Sequence, residues 1–420
     1  MFQLTSGQDE GLHKIRKWYT ESKRQNKIFV LSGRAGTGKT TLVKNILDDI
    51  VPPRESVHMM TFTGKASSIL AEKIESKDKH APKNMRFKVS TIHSFMYKPK
   101  MKWDANLKIN RIDGWEFNNE CHVGIDLIII DESSMIGSDI FTDLMRIPKP
   151  KLFIGDNWQL PPIETTRDYK SIFEVQLDHE LDEIVRQLKD NPIIELSKHA
   201  YERGQLIPTD QKIGESIFSF SYDKGKKYLD RIKFDLKTNQ YNILCGLNKT
   251  RVDLNKYVRS LNEMGDDMLY SGEKLINIQN TQLAMNGEQF YTVSAFPSSH
   301  FNSRFYSTVL MKEDNKNSFK TYFPINLLDQ ANSDSVQTFL STFNKSKPKD
   351  KRDVANFIDF KNQMTYMQYG YAISVHKAQG SEWERVIFVN EAFGWDFDTR
   401  RRWLYTAVTR AKDKLMILNP

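Results

Sequence analysis

The sequence predicts an α/β protein of two parallel-sheet lobes carrying small β-rich insertions. Three observations support this. Short apolar runs alternate with segments of helical periodicity, one of those runs ends in a glycine-rich loop that opens a helix, and two stretches break the alternation with hairpin-like patterning. At 420 residues the chain exceeds a single small core, and its 39% hydrophobic and 27% charged content is that of a globular protein.

The elements follow in order. Residues 27–31 are an apolar run leading to Gly33. Over 40–50, Leu42, Val43, Ile46, Leu47 and Ile50 recur on one side of a helix. Residues 57–62 read as a second strand, with a helix from 65 to about 74. Residues 126–130 form a continuous apolar run after Asp126, as in a strand covered on both faces, and 151–154 form another. Strands alternating with helices imply right-handed crossovers in a parallel sheet. The C-terminal part repeats this style, with strands at 242–247, 372–375, 386–389 and 415–418 and helices over 250–264 and about 399–412.

Residues 97–120 are polar and aromatic with a turn signal at Asp113-Gly114, and predict a β-hairpin insertion. Residues 269–359 contain four hairpin-like runs with turn signals at Asn286-Gly287 and 315–317. The polar, lysine-rich tail of that stretch, 332–351, reads as an exposed arm. The expected domains are therefore a first lobe at 1–178, a second lobe at 179–265 and 367–420, and an inserted β-rich domain at 266–366.

No apolar run approaches a membrane span, and the N-terminus lacks a secretion signal, so a cytoplasmic protein without membrane contact is expected. Two distant cysteines, Cys121 and Cys245, make neither a disulfide framework nor a zinc site. The net charge of +8 is compatible with a polyanionic partner.

Gly33, Arg34, Ala35, Gly36, Thr37, Gly38, Lys39 and Thr40 fit G-x-x-x-x-G-K-[ST] between a strand and a helix, and Thr41 follows them. Glycines let backbone N–H groups close around phosphates, and the helix N-terminus favours the same anions. Lys39 is expected on the β- and γ-phosphates and Thr40 on Mg²⁺. Asp131 and Glu132 end the apolar strand, where Asp131 suits the metal and Glu132 suits a general base for the attacking water. These residues predict a nucleotide with Mg²⁺ as ligands.

Further motifs follow in a fixed order: Thr61 to Ala66 (TFTGKA), Ser90 to Phe95 (STIHSF), GDNWQLPP from Gly155 to Pro162, Val185-Arg186-Gln187, YAISVHKAQG ending at Gly380 and followed by Ser381-Glu382, and LYTAVTRA from Leu404 to Ala411. Together with the phosphate loop they resemble the superfamily 1 helicases, in particular the RecD-like group, with the compact length and inserted β elements of the phage Dda type. The resemblance covers almost the whole chain. It implies two RecA-like P-loop lobes with ATP between them, a hairpin insertion in the first lobe and an SH3-like β domain in the second.

By the same resemblance, Gln8 reads adenine, Gln159 senses the γ-phosphate, Arg186 and Arg410 act as arginine fingers, Gly380 lets the backbone approach the nucleotide and Glu382 meets the ribose. It also implies strand contacts from Thr63, Lys65 and His93 in the first lobe and from Ser374, His376 and Lys377 in the second. Phe62, Phe95 and Trp158 could stack on bases. Trp103, Trp115 and Phe117 lie on the hairpin that would split the duplex.

The implied partners are single-stranded and forked duplex DNA, with a single-strand-binding protein or replisome components, and the implied state is a monomer moving 5′→3′. The residues themselves leave two alternatives open: an RNA or mixed-substrate helicase, and an ATP-gated clamp that does not unwind.

Overall fold

The computed structural model describes residues 4–22, 26–75, 86–104, 109–162, 171–185, 190–231, 241–265, 268–312, 317–328, 335–348, 350–391 and 394–419. The chain divides into two compact units, Met1–Gly204 with Asp396–Thr406, and Gln205–Trp395 with Ala407–Pro420.

In the first unit, α1 (Ser6–Ser22), β1 (Ile28–Gly33), α2 (Lys39–Asp49), β2 (Ser56–Thr61), α3 (Gly64–Glu75), β3 (Arg86–Thr91) and α4 (Ile92–Met96) come first. A hairpin of β4 (Tyr97–Asp104) and β5 (Ile109–Phe117) interrupts them. Then follow β6 (Leu127–Ile130), α5 (Ser138–Met145), β7 (Lys151–Gly155), α6 (Ile172–Val175), β8 (His179–Leu181) and α7 (Pro192–Arg203). The strands form one parallel sheet in the order β3-β2-β6-β7-β1-β8.

Alternation along each strand sends residues to opposite faces. Phe29, Leu31, Ile129 and Ile154 pack with Leu12 and Ile15 of α1 and Leu42, Val43 and Ile46 of α2. Val30, Ile128, Ile130 and Phe153 pack with Ile92, Phe95 and Leu144 on the other face. A strand with apolar neighbours on both sides needs an unbroken apolar run, as 127–130 has.

The second unit holds β9 (Lys212–Ile213), β10 (Ile217–Ser221), α8 (Tyr222–Arg231), β11 (Tyr241–Cys245) and α9 (Asn248–Leu261). Its inserted part contains β12 (Lys274–Asn277), β13 (Gln289–His300), β14 (Ser303–Lys312), β15 (Ser318–Pro324), α10 (Ser335–Lys345) and α11 (Lys351–Asn362). The chain ends through β16 (Met367–Tyr369), β17 (Ala372–Ser374), β18 (Trp383–Val389), α12 (Phe397–Val408) and β19 (Ala411–Asn419), with the first part of α12 counted in the first unit. One sheet runs β17-β11-β18-β19-β10-β9, parallel except at β9. The insertion is a five-stranded antiparallel sheet, β15-β14-β13-β12-β16.

Four sequence expectations change. Residues 179–204 fold with the first unit rather than the second lobe, because β8 pairs with β1. The expected arm over 332–351 includes the packed helix α10. Its Val336, Phe339 and Phe343 form an apolar stripe against Phe305, Phe357 and Phe360, hidden in a polar composition. Asp113-Gly114 is not the hairpin turn: with Lys100 opposite, it is a bulge inside β5, where Gly114 takes φ 117°. The last helix stops at Val408, and Ala411 already begins β19.

Among the described residues, no helix is long and apolar enough to cross a membrane. Cys121 and Cys245 are free.

Candidate nucleotide site and nucleic-acid surface

The parallel register places the carboxyl ends of β1, β7 and β6 at one edge of the first sheet, with Ser32 opposite Gly155 and Ile130 opposite Phe153. Such an edge is where open α/β sheets bind ligands. The phosphate loop leaves β1 there, Asp156 leaves β7, and Asp131 and Glu132 leave β6, two strands or roughly 10 Å from β1.

The loop is held open by its own backbone. Gly36 and Gly38 take φ 80° and 77°. A Cβ on Gly38 would come within 2.5 Å of Gln8 Nε2 and 3.2 Å of Val185 Cγ1, so glycine is required there. The buried Gln8 donates from Nε2 to Thr37 O at 2.9 Å, and its Oε1 accepts from Thr5 N–H at 3.0 Å. Val185 N–H donates to Gly36 O at 3.0 Å. Thr37 Oγ1 donates to Arg34 O at 2.8 Å, and Lys39 Nζ donates to Gly33 O at 2.5 Å and Arg34 O at 3.2 Å. The ammonium thus rests on the lip of the loop. Thr40 and Thr41 open α2.

Glu132 sits at φ 54°, ψ 38°, a left-handed conformation that costs a non-glycine residue about 1–3 kcal/mol. Its N–H donates to Asp131 Oδ1 at 2.9 Å, and Ser133 Oγ donates to Ile154 O at 2.8 Å, tying this turn to β7.

Asp156 organises the turn after β7. Its Oδ1 accepts from Trp158 N–H at 3.0 Å, and its carbonyl accepts from Gln159 N–H at 3.2 Å. Gln159 Nε2 lies 3.5 Å from Asp156 Oδ2, while Gln159 Oε1 is buried without a hydrogen-bond partner. Trp158 stacks on Tyr201 at 3.9 Å, and the Arg34 guanidinium lies over the same ring at 4.5 Å. With both faces covered, Trp158 offers no platform for a base, contrary to the sequence expectation.

These residues fit ATP with magnesium. The Gly38 cradle has no room for a side chain, and the buried Gln159 Oε1 awaits a donor. Among the described residues, no group of three or more His, Cys, Asp or Glu could hold a metal unaided. Magnesium needs only Thr40 and Asp131 when phosphates and waters complete its shell.

In the second unit, Gly380 has φ 71° and the exposed Glu382 lies 4.0 Å from Lys412 Nζ. Arg410 is 3% exposed and donates to Ser381 O and Thr409 Oγ1, each at 3.0 Å. Residues 380–383 and Arg410 are thereby brought together, and Trp383 N–H donates to Arg410 O at 2.9 Å. Arg186 lies outside the described residues.

The strand-contact candidates fall into two groups. Thr63 accepts from Ala66 N–H at the start of α3, Lys65 is half-buried, and His93 is exposed beside Phe62 at 6.1 Å. Ser374 accepts from Lys377 N–H at 3.4 Å, Lys377 is exposed, and burial lowers the pKa of His376. Phe95 is inside the core with its ring 4.3 Å from His58, which removes it as a stacking platform. Phe62 is half-buried against the same core. On the hairpin, Trp115 is 68% exposed and Phe117 is covered by Arg146 at 4.1 Å. Trp103 lies on β4, and its side chain is outside the described residues.

Sequence reasoning gave no role to Tyr405, Tyr201, Asp156 or Glu391. Tyr405 and Asp156 stand inside quoted motifs, so a signal was present. Tyr201 and Glu391 carry none.

A family model described as an AAA domain matches residues 5–210, and one described as a UvrD-like helicase C-terminal domain matches 369–418. The chain is similar to the ATP-dependent RecD2 DNA helicase of Deinococcus radiodurans, at 24% identity over 96% of this chain and 48% of that protein. It is also similar to an uncharacterised protein of Methanocaldococcus jannaschii, at 24% identity over 94% of this chain and 37% of that protein. The ATP-dependent DNA helicase dda of phage T4 matches at 26% identity over 64% of this chain and 58% of its own length. The chain thus spans about half the length or less of the first two relatives.

Among solved structures, Pif1 helicase from Candida albicans aligns with a TM-score of 0.52 at 16% identity, covering 100% of this chain and 94% of that one. Bacteroides Pif1 bound to ssDNA aligns with a TM-score of 0.52 at 16% identity, over 99% and 92%. These likenesses establish the fold, and the two family models with the similarity to RecD2 and dda support a superfamily 1 helicase of the RecD-like and Dda-like kind.

Proposed function

We propose that this chain is an ATP-dependent DNA helicase that acts as a monomer and moves 5′→3′ along a single strand. The observation that carries this is the carboxyl edge of the first sheet. There the phosphate loop, Asp131, Glu132 and the orphaned Gln159 Oε1 lie on neighbouring strand ends. That edge supports hydrolysis. Glu132 takes the proton of the attacking water. Lys39 and the loop amides hold the phosphates. Arg186 and Arg410 supply positive charge at the transferring phosphoryl group, an effect of about 10³–10⁵ in rate for such a finger. Thr40 and Asp131 would hold a magnesium ion, which would supply charge neutralisation at the phosphates. By the resemblance, Gln8 reads the adenine, Glu382 serves the ribose and Gly380 allows the backbone to approach the nucleotide.

Hydrolysis shifts the chain between two states that grip the strand differently. Thr63, Lys65, His93, Ser374, His376 and Lys377 hold its backbone. The half-buried Phe62 flanks it, and the exposed Trp115 meets the fork. The DNA helicases among the relatives favour DNA over RNA.

Strand displacement on forked substrates with 5′ or 3′ tails, in DNA and in RNA, tests this. The 5′-tailed DNA should be separated in the presence of ATP, and Lys39→Ala should lose both hydrolysis and displacement. Trp115→Ala should slow displacement and spare DNA-stimulated hydrolysis. Hydrolysis without displacement would make the chain an ATP-gated clamp, and unwinding by Lys39→Ala would refute the mechanism.

A further inference from the structure

Tyr405 stands five residues before Arg410, on α12, and is 1% exposed. Its hydroxyl accepts from the phosphate-loop amide of Ala35 at 2.8 Å and donates to Asp156 Oδ2 at 2.7 Å. The next residue, Thr406, accepts from Leu160 N–H through Oγ1 at 2.9 Å. Two consecutive side chains of one helix therefore grip the phosphate loop and the 155–162 turn. The Tyr405 ring lies edge-on to both members of the stacked Trp158–Tyr201 pair, at 5.5 Å and 71° from Trp158 and 5.9 Å and 73° from Tyr201. Packing fixes the ring, and the ring fixes the hydroxyl.

Asp156 Oδ2 is shared between Tyr405 and Gln159 Nε2. A carboxylate only accepts, so the end of the Gln159 amide turned toward it is the NH₂ group. The Oε1 end then points away, buried and without a hydrogen-bond partner. A buried acceptor in that state calls for a donor that the protein does not supply.

We infer that Tyr405 is a positioning residue for hydrolysis. It ties the phosphate loop to Asp156, and through Asp156 it sets the Gln159 amide so that Oε1 accepts a hydrogen bond from the attacking water. This rests on the ATPase reading proposed above. In the step, the water oxygen bonds the γ-phosphorus as the bond from that phosphorus to the bridging oxygen of ADP breaks. One water proton passes to the Glu132 carboxylate. The other stays on the oxygen that becomes part of inorganic phosphate, held meanwhile by Gln159.

The test is Tyr405→Phe, which keeps the ring and its neighbours and removes one oxygen. Of the two hydrogen bonds lost, the one to Asp156 acts on Gln159, and the expected fall in kcat for ATP hydrolysis is about tenfold, the size of that one buried hydrogen bond. KM and the affinity for ADP should change by less than about twofold. In a Gln159→Ala background the same substitution should cost nothing further in kcat, which a merely structural tyrosine would not reproduce. An unchanged kcat in Tyr405→Phe overturns the inference. So does an equal loss with and without Gln159, or a loss of ADP affinity that accounts for the fall. A wild-type chain that hydrolyses no ATP overturns the proposed activity as well, whereas an active wild type matched by Tyr405→Phe sinks this inference alone.

Discussion

The two parallel sheets are laid out alike and finished differently. In the first unit, β1 runs into α2 through five residues, 34–38, with left-handed glycines at 36 and 38. In the second, β11 runs into α9 through only Gly246 and Leu247. Both turns present backbone N–H groups at a helix N-terminus, a natural place for an anion. In the second unit that place is filled from within. Glu391 Oε2 accepts from Gly246 N–H and, at 3.0 Å, from Leu247 N–H, while its Oε1 accepts from the Thr250 hydroxyl. The chain's own carboxylate stands where a phosphate would. The same strand–turn–helix unit thus serves as a ligand cradle in one sheet and as a sealed structural joint in the other. The deciding factor is what the chain places before the helix, not the fold.

The largest effect should come from closing the open edge. Gly38→Ala puts a methyl group 2.5 Å from Gln8 Nε2 at a backbone conformation that alanine rarely adopts. Binding of a fluorescent ADP analogue should fall below detection. Retained binding would mean that the loop is not the cradle, and the contrast between the sheets would collapse.

Next in size is Arg410→Ala. If Arg410 acts on the transferring phosphoryl group, kcat should drop about 10³-fold while ADP affinity holds. Its hydrogen bonds to Ser381 O and Thr409 Oγ1 offer another role, as a clasp of residues 380–383. A fall in thermal stability with kcat preserved would assign it that role, and would make the second unit structural at this position too.

Legibility in the sequence followed the same divide. The open edge was readable because binding phosphates requires particular residues at particular spacings: glycines with lysine and threonine after one strand, and two acids after an apolar run. The parallel strands were readable because burial on both faces leaves an unbroken apolar run, as at 127–130. What escaped was set by partners distant in sequence. The Tyr405 hydroxyl meets a backbone N–H 370 residues away, and although Tyr405 lies inside a motif, nothing in that motif names its partner. Trp158 looked like a base platform until Tyr201 and Arg34 were found on its faces. Helix α10 was hidden because Val336, Phe339 and Phe343 are spaced among serines, threonines and asparagine, so composition masked the stripe. Asp113-Gly114 carries a turn signature, yet the same backbone freedom also suits a bulge, and only strand register separates the two.

The smallest effect tests the sealed edge directly. Glu391→Ala leaves Gly246 N–H, Leu247 N–H and the Thr250 hydroxyl without their carboxylate. Losing hydrogen bonds to a charged group costs roughly 1–3 kcal/mol, or about 5 °C in the melting temperature of a unit this size. ATP turnover measured well below that temperature should stay near the wild-type rate, because the carboxylate serves only α9 and its approach. A variant that melts normally but hydrolyses ATP poorly would place Glu391 in the chemistry. The second sheet's edge would then be a working surface and not a joint, and the difference between the two sheets would lie in which part of the reaction each one touches.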